Sequence, residues 1–522
     1  MSPAFSISAS SHFIMLLPLL VLLLPVPMPL ADCANILMIS PSLSPSLLTS
    51  MGRVTDTLAE TGRHNLTVWI PQLRPLAMTG TKLAHRVIRT DNLSDAFDRV
   101  LRTSPDLFDE EANSFRERLR QDDAVVEWCE VLVQRKELLD ELRAEQFEIV
   151  FIDLIDLCLV GIAHHLAIPR LALLSTGPIP DAYNWLLETV LLGPRMNLWQ
   201  RAQNVWQYAM SLYSQWRMFR QENNAFRAHI SPKFPRLEQI AARRIDVVFV
   251  VSDEFVEAAA PTLSKVVNIA GLGMSKAPQP LRPAILRAVS SAPRGAVLLS
   301  FGSVSETVQM DQQNEQSGHF QPKFGQKVPN IHLFEWVEQT DLLAHPSLRL
   351  FISHSGYNSM IESAIRGVPF LAIPLFFDQL RVAKMAEYRG FARILTKSDL
   401  LSVDRIKEEI GIMLNDKKYK ANALRLSKLH RQKPNPPEEQ LIRWTDFVLE
   451  NGPLKELIPE SAELGMVEYF CLDIALICLT IAFAILWLCR RLFGALLARW
   501  KRESTLQRND RKKVSERVIK ED

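Results

Sequence analysis

Residues 350–379 read LFISHSGYNSMIESAIRGVPFLAIPLFFDQ. The apolar run 350–353 predicts a buried strand. His354-Ser355-Gly356-Tyr357-Asn358-Ser359 then predicts a polar turn opening a helix that carries Glu362. Residues 368–374 predict the next strand, with Asp378 and Gln379 just past its carboxyl end. Strand, helix and strand in that order imply parallel pairing through a right-handed crossover. At such a turn the free backbone N–H groups and the helix dipole face one spot, which suits an anion. Ligands of open parallel sheets sit outside the carboxyl ends of the strands, so the turn, Glu362, Asp378 and Gln379 are expected to converge. Just upstream, a strand is expected to end at Trp336, followed by a turn with Gln339 and Asp341. A stacking aromatic, a phosphate-cradling turn and paired polar groups suit a nucleotide diphosphate carrying a sugar.

The same alternation extends toward the amino terminus. A short apolar strand is predicted at Asn35–Ile39, an amphipathic helix over 49–60 and a second strand at 66–70, a strand–helix–strand unit. Further strands are predicted at 147–153, 169–174, 246–251 and 266–270, with a helix through His165 between the first two. Residues 183–227 read as helical and aromatic, with Trp185, Trp199, Trp206 and Trp216. Helical core is one reading of them; a lining for an apolar ligand, or a patch resting on a membrane surface, is the other. Residues 271–295 hold Pro278, Pro280, Pro283 and Pro293 with little periodicity and read as a linker. The body is thus expected to be α/β, with one doubly wound half over 32–270 and another over 296–450.

Both ends carry membrane signals. Residues 13–30 are apolar but interrupted by prolines 18, 25, 27 and 29, and Pro29-Leu30-Ala31 precedes Asp32. Residues 1–31 therefore read as a secretory signal peptide rather than a spanning helix. Residues 469–489 carry Asp473 as their one charge and make about 31 Å of helix, enough for one bilayer core. A juxtamembrane segment, 451–468, leads into that helix. The tail 490–522 has eleven Lys/Arg against five Asp/Glu, so the positive-inside rule places it in the cytosol and the body in the lumen. Lys520, third from the end, partly matches a lysine-based retrieval signal, so an endoplasmic-reticulum membrane is the expected location. Asn65-Leu66-Thr67 and Asn92-Leu93-Ser94 are glycosylation sequons; Asn65, opening an apolar strand, is expected to be buried and Asn92 to be the better acceptor.

Composition excludes several classes. With 60 Lys+Arg and 58 Asp+Glu the net charge is +2, which gives no support for a nucleic-acid binder. At 48% hydrophobic and 23% charged residues, the chain has what a packed core needs. Six cysteines in 522 residues make no disulfide scaffold, and no Cys/His spacing suggests a metal. Cys33, Cys129 and Cys158 fall in the body and Cys471, Cys478 and Cys489 in the membrane segment. At most one disulfide forms in the body, leaving an odd thiol.

Residues 336–379, together with Phe301-Gly302-Ser303 after the apolar run 298–300, resemble the donor-binding signature of the UDP-glycosyltransferase family, specifically its animal membrane-bound UDP-glucuronosyltransferase branch. The resemblance runs from the signal peptide to the basic tail. It implies a GT-B fold: two Rossmann-like doubly wound domains facing a cleft, plus one C-terminal transmembrane helix. The first half would bind a small lipophilic acceptor, the second UDP-glucuronate or UDP-glucose as co-substrate, with no cofactor and no metal. Trp336 would stack on uracil, Gln339 would orient the nucleoside and Glu362 would accept from the ribose hydroxyls. His354, the N–H groups of Gly356 and Asn358, and Ser303 would hold the diphosphate; Asp378 and Gln379 would bind sugar hydroxyls. Transfer would invert the sugar, a base deprotonating the acceptor. Homo- or hetero-oligomers are also compatible with the family.

The departures from the pattern are as informative. The family's base histidine precedes the glycine of the first helix by five residues, and here that position is Leu47; no histidine occurs between Asp32 and Arg63. The acid that partners it is matched by Asp153, whose ordinary pKa of about 4 makes it a poor base for phenols. His64, a helix away, is a possible substitute and reads better as a structural histidine. A catalytically silent relative that binds UDP-sugar or apolar ligands, or modulates homologues by oligomerising, is therefore the alternative to an enzyme. Glu338 stands where the family has proline and Ser355 where it has glycine. The segment 303–330 is about a dozen residues short of the pattern, through deletion or a gene-model error, and such a loss would uncover apolar neighbours.

Overall fold

The computed structural model describes residues 33–521, except 106–110, 112–113, 178–195, 260–261, 275–276, 303–327, 329, 377, 460–465 and 470. The expected signal peptide and Ser303 therefore lie outside the described residues. The first half comprises β1 (Asn35–Ile39), α1 (Pro45–Ala59), β2 (Asn65–Pro71), β3 (Arg86–Thr90), α2 (Ala96–Thr103), α3 (Phe115–Val133), α4 (Lys136–Ala144), β4 (Ile149–Asp153), α5 (Cys158–His165), β5 (Arg170–Ser175), α6 (Leu198–His229), α7 (Leu237–Arg244), β6 (Ile245–Val250) and β7 (Val266–Asn268). Its seven strands are all parallel, in the order β3-β2-β1-β4-β5-β6-β7.

The unbroken apolar runs of β1, β4, β5 and β6 follow from burial on both faces of a parallel sheet. In register, Leu37, Ile39, Val150 and Ile152 face one core, shared with α3, α5 and α6. Ile36, Met38, Ile149 and Phe151 face the other, shared with α1. A disulfide joins Cys129 on α3 to Cys158 at the start of α5, and Cys33 is the exposed leftover thiol of the body. Asn65 is exposed rather than buried, because it is the first residue of β2 and its amide projects beyond the core to donate to Asn35 Oδ1 at 3.1 Å. Asn92 is exposed as well.

The aromatic helix α6 divides its residues between both readings. Met218, Phe219 and Phe226 pack in the core, whereas Trp199, Trp206 and Trp216 are exposed.

Residues 271–295, expected as a linker, include a helix, α8 (Pro283–Ser290), which docks Ile285 and Val289 against Leu342 and the next strand. The second half then runs β8 (Ala296–Ser300), α9 (Gln339–Leu343), β9 (Leu348–Ser353), α10 (Tyr357–Arg366), β10 (Phe370–Ala372), α11 (Gln379–Tyr388), β11 (Ala392–Ile394), α12 (Val403–Asn415), α13 (Lys417–Arg431) and α14 (Pro437–Asn451). Its described strands form a parallel sheet in the order β11-β10-β9-β8. Among the described residues no strand ends at Trp336; residues 331–338 are irregular. On β8 Val297 and Leu299 are exposed, and most of the short segment 303–330 lies outside the described residues.

Helix α14 lies in the second half of the sequence but packs on the first sheet, burying Leu441 and Val448 beside Val247 and Phe249. Arg63 Nη1 meets Asp446 of this helix at 2.8 Å, and the buried His64 Nε2 lies 3.3 Å from the same carboxylate. His64 is thereby a structural residue. At the back of the cleft, Asp253 after β6 meets His430 Nδ1 at 2.8 Å and Lys433 Nζ at 2.9 Å. Burial opposes its ionisation, but the His430 hydrogen bond and the Lys433 ammonium hold its pKa down to about 2. Arg381 and Glu257 add a second cross-cleft pair at 2.8 Å. These contacts join both halves into one unit that ends at Leu457.

A separate C-terminal unit carries α15 (Leu472–Glu521). Its part Leu472–Leu506, which holds an 18-residue stretch of mean hydropathy 2.5, is long and apolar enough to cross a membrane. The helix starts a turn later than 469 and runs past 489 into the basic tail without a break.

Candidate functional site

The turn between β9 and α10 is built around His354. A Cβ on Gly302 would lie 2.5 Å from its Cε1, and one on Gly356 2.5 Å from its Nε2, so backbone from two strand ends closes on the ring as no other residue type permits. Gly302 also has φ +77. Ser353 Oγ is 3.1 Å from Nδ1, and burial pulls the imidazole down to a pKa of about 4, so the ring is neutral. Gly356 is the N-cap residue of α10, whose first-turn N–H groups have no partner within the helix.

Ser355, the residue standing for glycine, is held at φ 65 with its buried hydroxyl unpartnered. The left-handed conformation costs a residue with a Cβ about 1 kcal/mol or more. Ser355→Gly is expected to raise stability by about 1 kcal/mol, seen as a higher midpoint of thermal unfolding in detergent. A lower midpoint would show that the hydroxyl has a structural partner.

One turn along α10, the buried Glu362 receives Gln339 Nε2 at 2.8 Å, and the same amide reaches Ser359 Oγ at 3.2 Å. Gln339 is the first residue of α9, so the two helices bring the expected nucleoside residues together. Trp336 stands two-thirds exposed, its carbonyl accepting from Arg282. Glu338, where the family has proline, pairs with Arg282 Nε at 2.7 Å and so fixes the loop electrostatically. Gln379 is buried, its Oε1 accepting from the N–H groups of Leu375 and Phe376 at 2.8 and 3.1 Å. Asp378, exposed, caps α11. A Cβ on Gly177 of the first half would lie 3.9 Å from Asp378 Oδ2, so the two halves face each other here.

Sequence reasoning missed two residues from the opposite wall. Ser50 Oγ accepts from Asn358 Nδ2 at 3.2 Å, and Arg53 Nη2 lies 3.3 Å from Glu362 Oε1, both from α1. Their signal, a polar i,i+3 pair on an otherwise core-facing helix, is too common to single out.

Asp153 ends β4, beside β1, at the point where strand order reverses in the first sheet. It is buried, its Oδ2 has no hydrogen-bond partner, and burial pushes its pKa up to about 7, offset in part by the Leu154 N–H. The register Ile39↔Ile152 places Ser40 beside it, and Ser40 Oγ is likewise buried and unpartnered. Leu47 lies in the first turn of α1, its N–H capped by Ser44 Oγ at 3.3 Å. Asp156, three residues on, is also raised to about 7 by burial, and Glu222 of α6 is raised further by burial and by Asp156 itself.

A family profile described as "UDP-glucoronosyl and UDP-glucosyl transferase" matches residues 36–503. The chain belongs to the UDP-glycosyltransferase family. Among curated members, the putative UDP-glucuronosyltransferase ugt-48 of Caenorhabditis elegans is 30% identical over 84% of this chain and 90% of its own. Human UDP-glucuronosyltransferase 3A2 is 29% identical over 89% and 94% respectively. Among solved structures, a UDP-glucosyltransferase from Polygonum tinctorium capable of glucosylating indoxyl superposes with a TM-score of 0.55 at 17% identity, over 81% of this chain and 99% of that one. The spinosyn forosaminyltransferase SpnP gives 0.54 at 15%, over 80% and 100%. At those identities the likeness shows the fold, and the fold of this UDP-glycosyltransferase is GT-B, two parallel α/β halves around a cleft.

Proposed function

We propose that this UDP-glycosyltransferase moves glucuronate or glucose from a UDP-sugar to the hydroxyl of a small lipophilic acceptor with inversion, Asp153 serving as the base. The observation that carries the reading is the carboxylate itself: buried, partnerless and raised to about 7 at the switch point of the acceptor half. An acid with a pKa near the working pH is a far better match to a phenol than one near 4. Trp336, Gln339 and Glu362 would take the nucleoside, His354, Gly356, Asn358 and Ser303 the diphosphate, and Asp378 with Gln379 the sugar; UDP-sugar is a co-substrate and no cofactor is invoked. The Cys129–Cys158 disulfide supports a body in an oxidising lumen, and the basic tail a cytosolic end, in keeping with an endoplasmic-reticulum membrane. Such a location would make Asn65 and Asn92 glycosylation sites.

Leu47 favours a second reading, a silent donor-binding relative, because it leaves the neutral base of the family unfilled. The two readings separate in microsomes expressing the chain, given labelled UDP-glucuronate or UDP-glucose and a panel of phenols. Turnover above vector control that rises with pH to a plateau beyond about 7 is the expected result, since Asp153 acts only when ionised. Intact UDP binding with no turnover for any acceptor or donor would establish the silent reading instead.

A further inference from the structure

The cleft cavity beside the expected ribose site is lined by Ser50 and Arg53 of α1, the bend at Gly271 to Met274, and Asn358, Ile361 and Glu362 of α10. Arg53 is the cation among these lining residues. Its guanidinium rests on Glu362, whose other oxygen is held by Gln339. The stem of Arg53 lies against Gly273, where a Cβ would come within 2.9 Å of its Cγ, so a side chain at 273 would press on this stem. Ser50, one turn earlier on the same face, meets Asn358 in the anion-binding turn. The Ser50–Arg53 face of α1 therefore spans the distance along α10 from its amino terminus to Glu362, about one helical turn or 6 Å.

Resting on the functional reading above, we propose that Arg53, paired with Glu362, is a donor-binding residue supplied by the acceptor half and transfers to the donor diphosphate when ribose hydroxyls occupy that carboxylate. The ribose competes for Glu362 as an uncharged ligand, so Arg53 loses its partner at the moment a dianionic group arrives one turn away. His354 is neutral and brings no charge to that group. Without Arg53 the diphosphate would meet neutral side chains, the turn N–H groups and the helix dipole but no cation from the cavity lining, and a leaving group that gains charge benefits from one. The half-buried position of Arg53, about 29% exposed, keeps such a pair from being screened as fully as one at the surface. The same exchange would make donor binding draw on both halves, tightening the cleft over its ligand.

The test compares uridine, UMP and UDP as probes against the full chain in detergent and its Arg53→Gln variant. UDP affinity is expected to fall about ten- to a hundredfold, with uridine affinity unchanged or slightly improved because Glu362 is released. Arg53→Lys, which keeps the charge but not the fork, is expected to fall between them. The salt dependence of UDP binding should also flatten in Arg53→Gln. Equal losses for uridine and UDP would mean that Arg53 only shapes the cleft, and an unchanged UDP affinity would mean that it never leaves Glu362; either overturns the proposal. Failure of the unaltered chain to bind any of the three probes would instead bring down the donor-binding reading on which the proposal stands.

Discussion

Asp153→Asn is expected to lower kcat/KM for a phenol acceptor by about 10²–10⁴-fold while leaving UDP affinity unchanged. The change removes the carboxylate proposed as proton acceptor and keeps the shape of the side chain, and the residue lies in the first sheet, whereas α9 and α10 belong to the second half. Loss of fold is the competing explanation for lost activity, and the pH dependence of stability separates the two. Burial raises the native carboxyl to about 7, whereas the unfolded group titrates near 4. The native state therefore holds the proton more tightly, and its stability is full below about pH 4 and declines as pH rises toward 7. Asn carries no such penalty, so the variant should match the parent in acid and exceed it, by on the order of a few kcal/mol, at pH 8. A variant that is more stable at pH 8 and inactive is the signature of a base. A variant that retains turnover would transfer the role to another group, and one that is less stable at pH 8 would mean that Asp153 is ionised and satisfied in the native protein.

How Asp153 reads in sequence and in structure shows where sequence reasoning stops. Its position at a strand end was legible, because the run before it is apolar on both faces and the periodicity has nowhere else to place a strand. Its raised pKa was not, since that depends on which neighbours fail to hydrogen-bond it, and partners come from elements far apart in the chain. The strand β1 matches its expected bounds and β4 its expected end, though β4 starts at Ile149 rather than 147, for the same reason. By contrast, β3, with the sequence RVIRT, and the charged helices α2 to α4 escaped notice because half of each faces solvent and apolar residues are sparse. The helix α8 hid behind prolines, one of which, Pro283, is a helix-opening residue rather than a breaker. Trp336 was expected to end a strand, but its loop is fixed from outside, by Arg282 on its carbonyl and on Glu338. The turn after β9 was legible almost entirely, being local: β9, the glycine-lined histidine and α10 follow one another in the chain. What crosses the cleft, Arg53 on Glu362 and Ser50 on Asn358, was invisible, because sequence carries no record of which faces of distant helices meet.

Leu47→His is expected to raise turnover by about 10²–10⁴-fold over the parent chain. Leu47 is half-buried in the first turn of α1, directly after the loop from β1, and Asp153 ends the adjacent strand β4. A histidine there would stand at a helix amino terminus, where the dipole disfavours the imidazolium and keeps the ring available as a base. A carboxylate near one ring nitrogen would fix the tautomer and leave the other facing the acceptor. The gain should depend on Asp153: in an Asp153→Asn background the histidine loses its orienting partner, and the added activity should shrink by at least tenfold, a non-additivity that a double-mutant cycle reads directly. Two independent gains would place the residues too far apart to cooperate. No gain, in a variant that folds and still binds UDP, would mean that the acceptor half has lost more than its base, since the donor half would then be intact and only the approach of the acceptor missing. The single substitution thus decides between an enzyme that lacks one group and a binding protein built on an enzyme's fold.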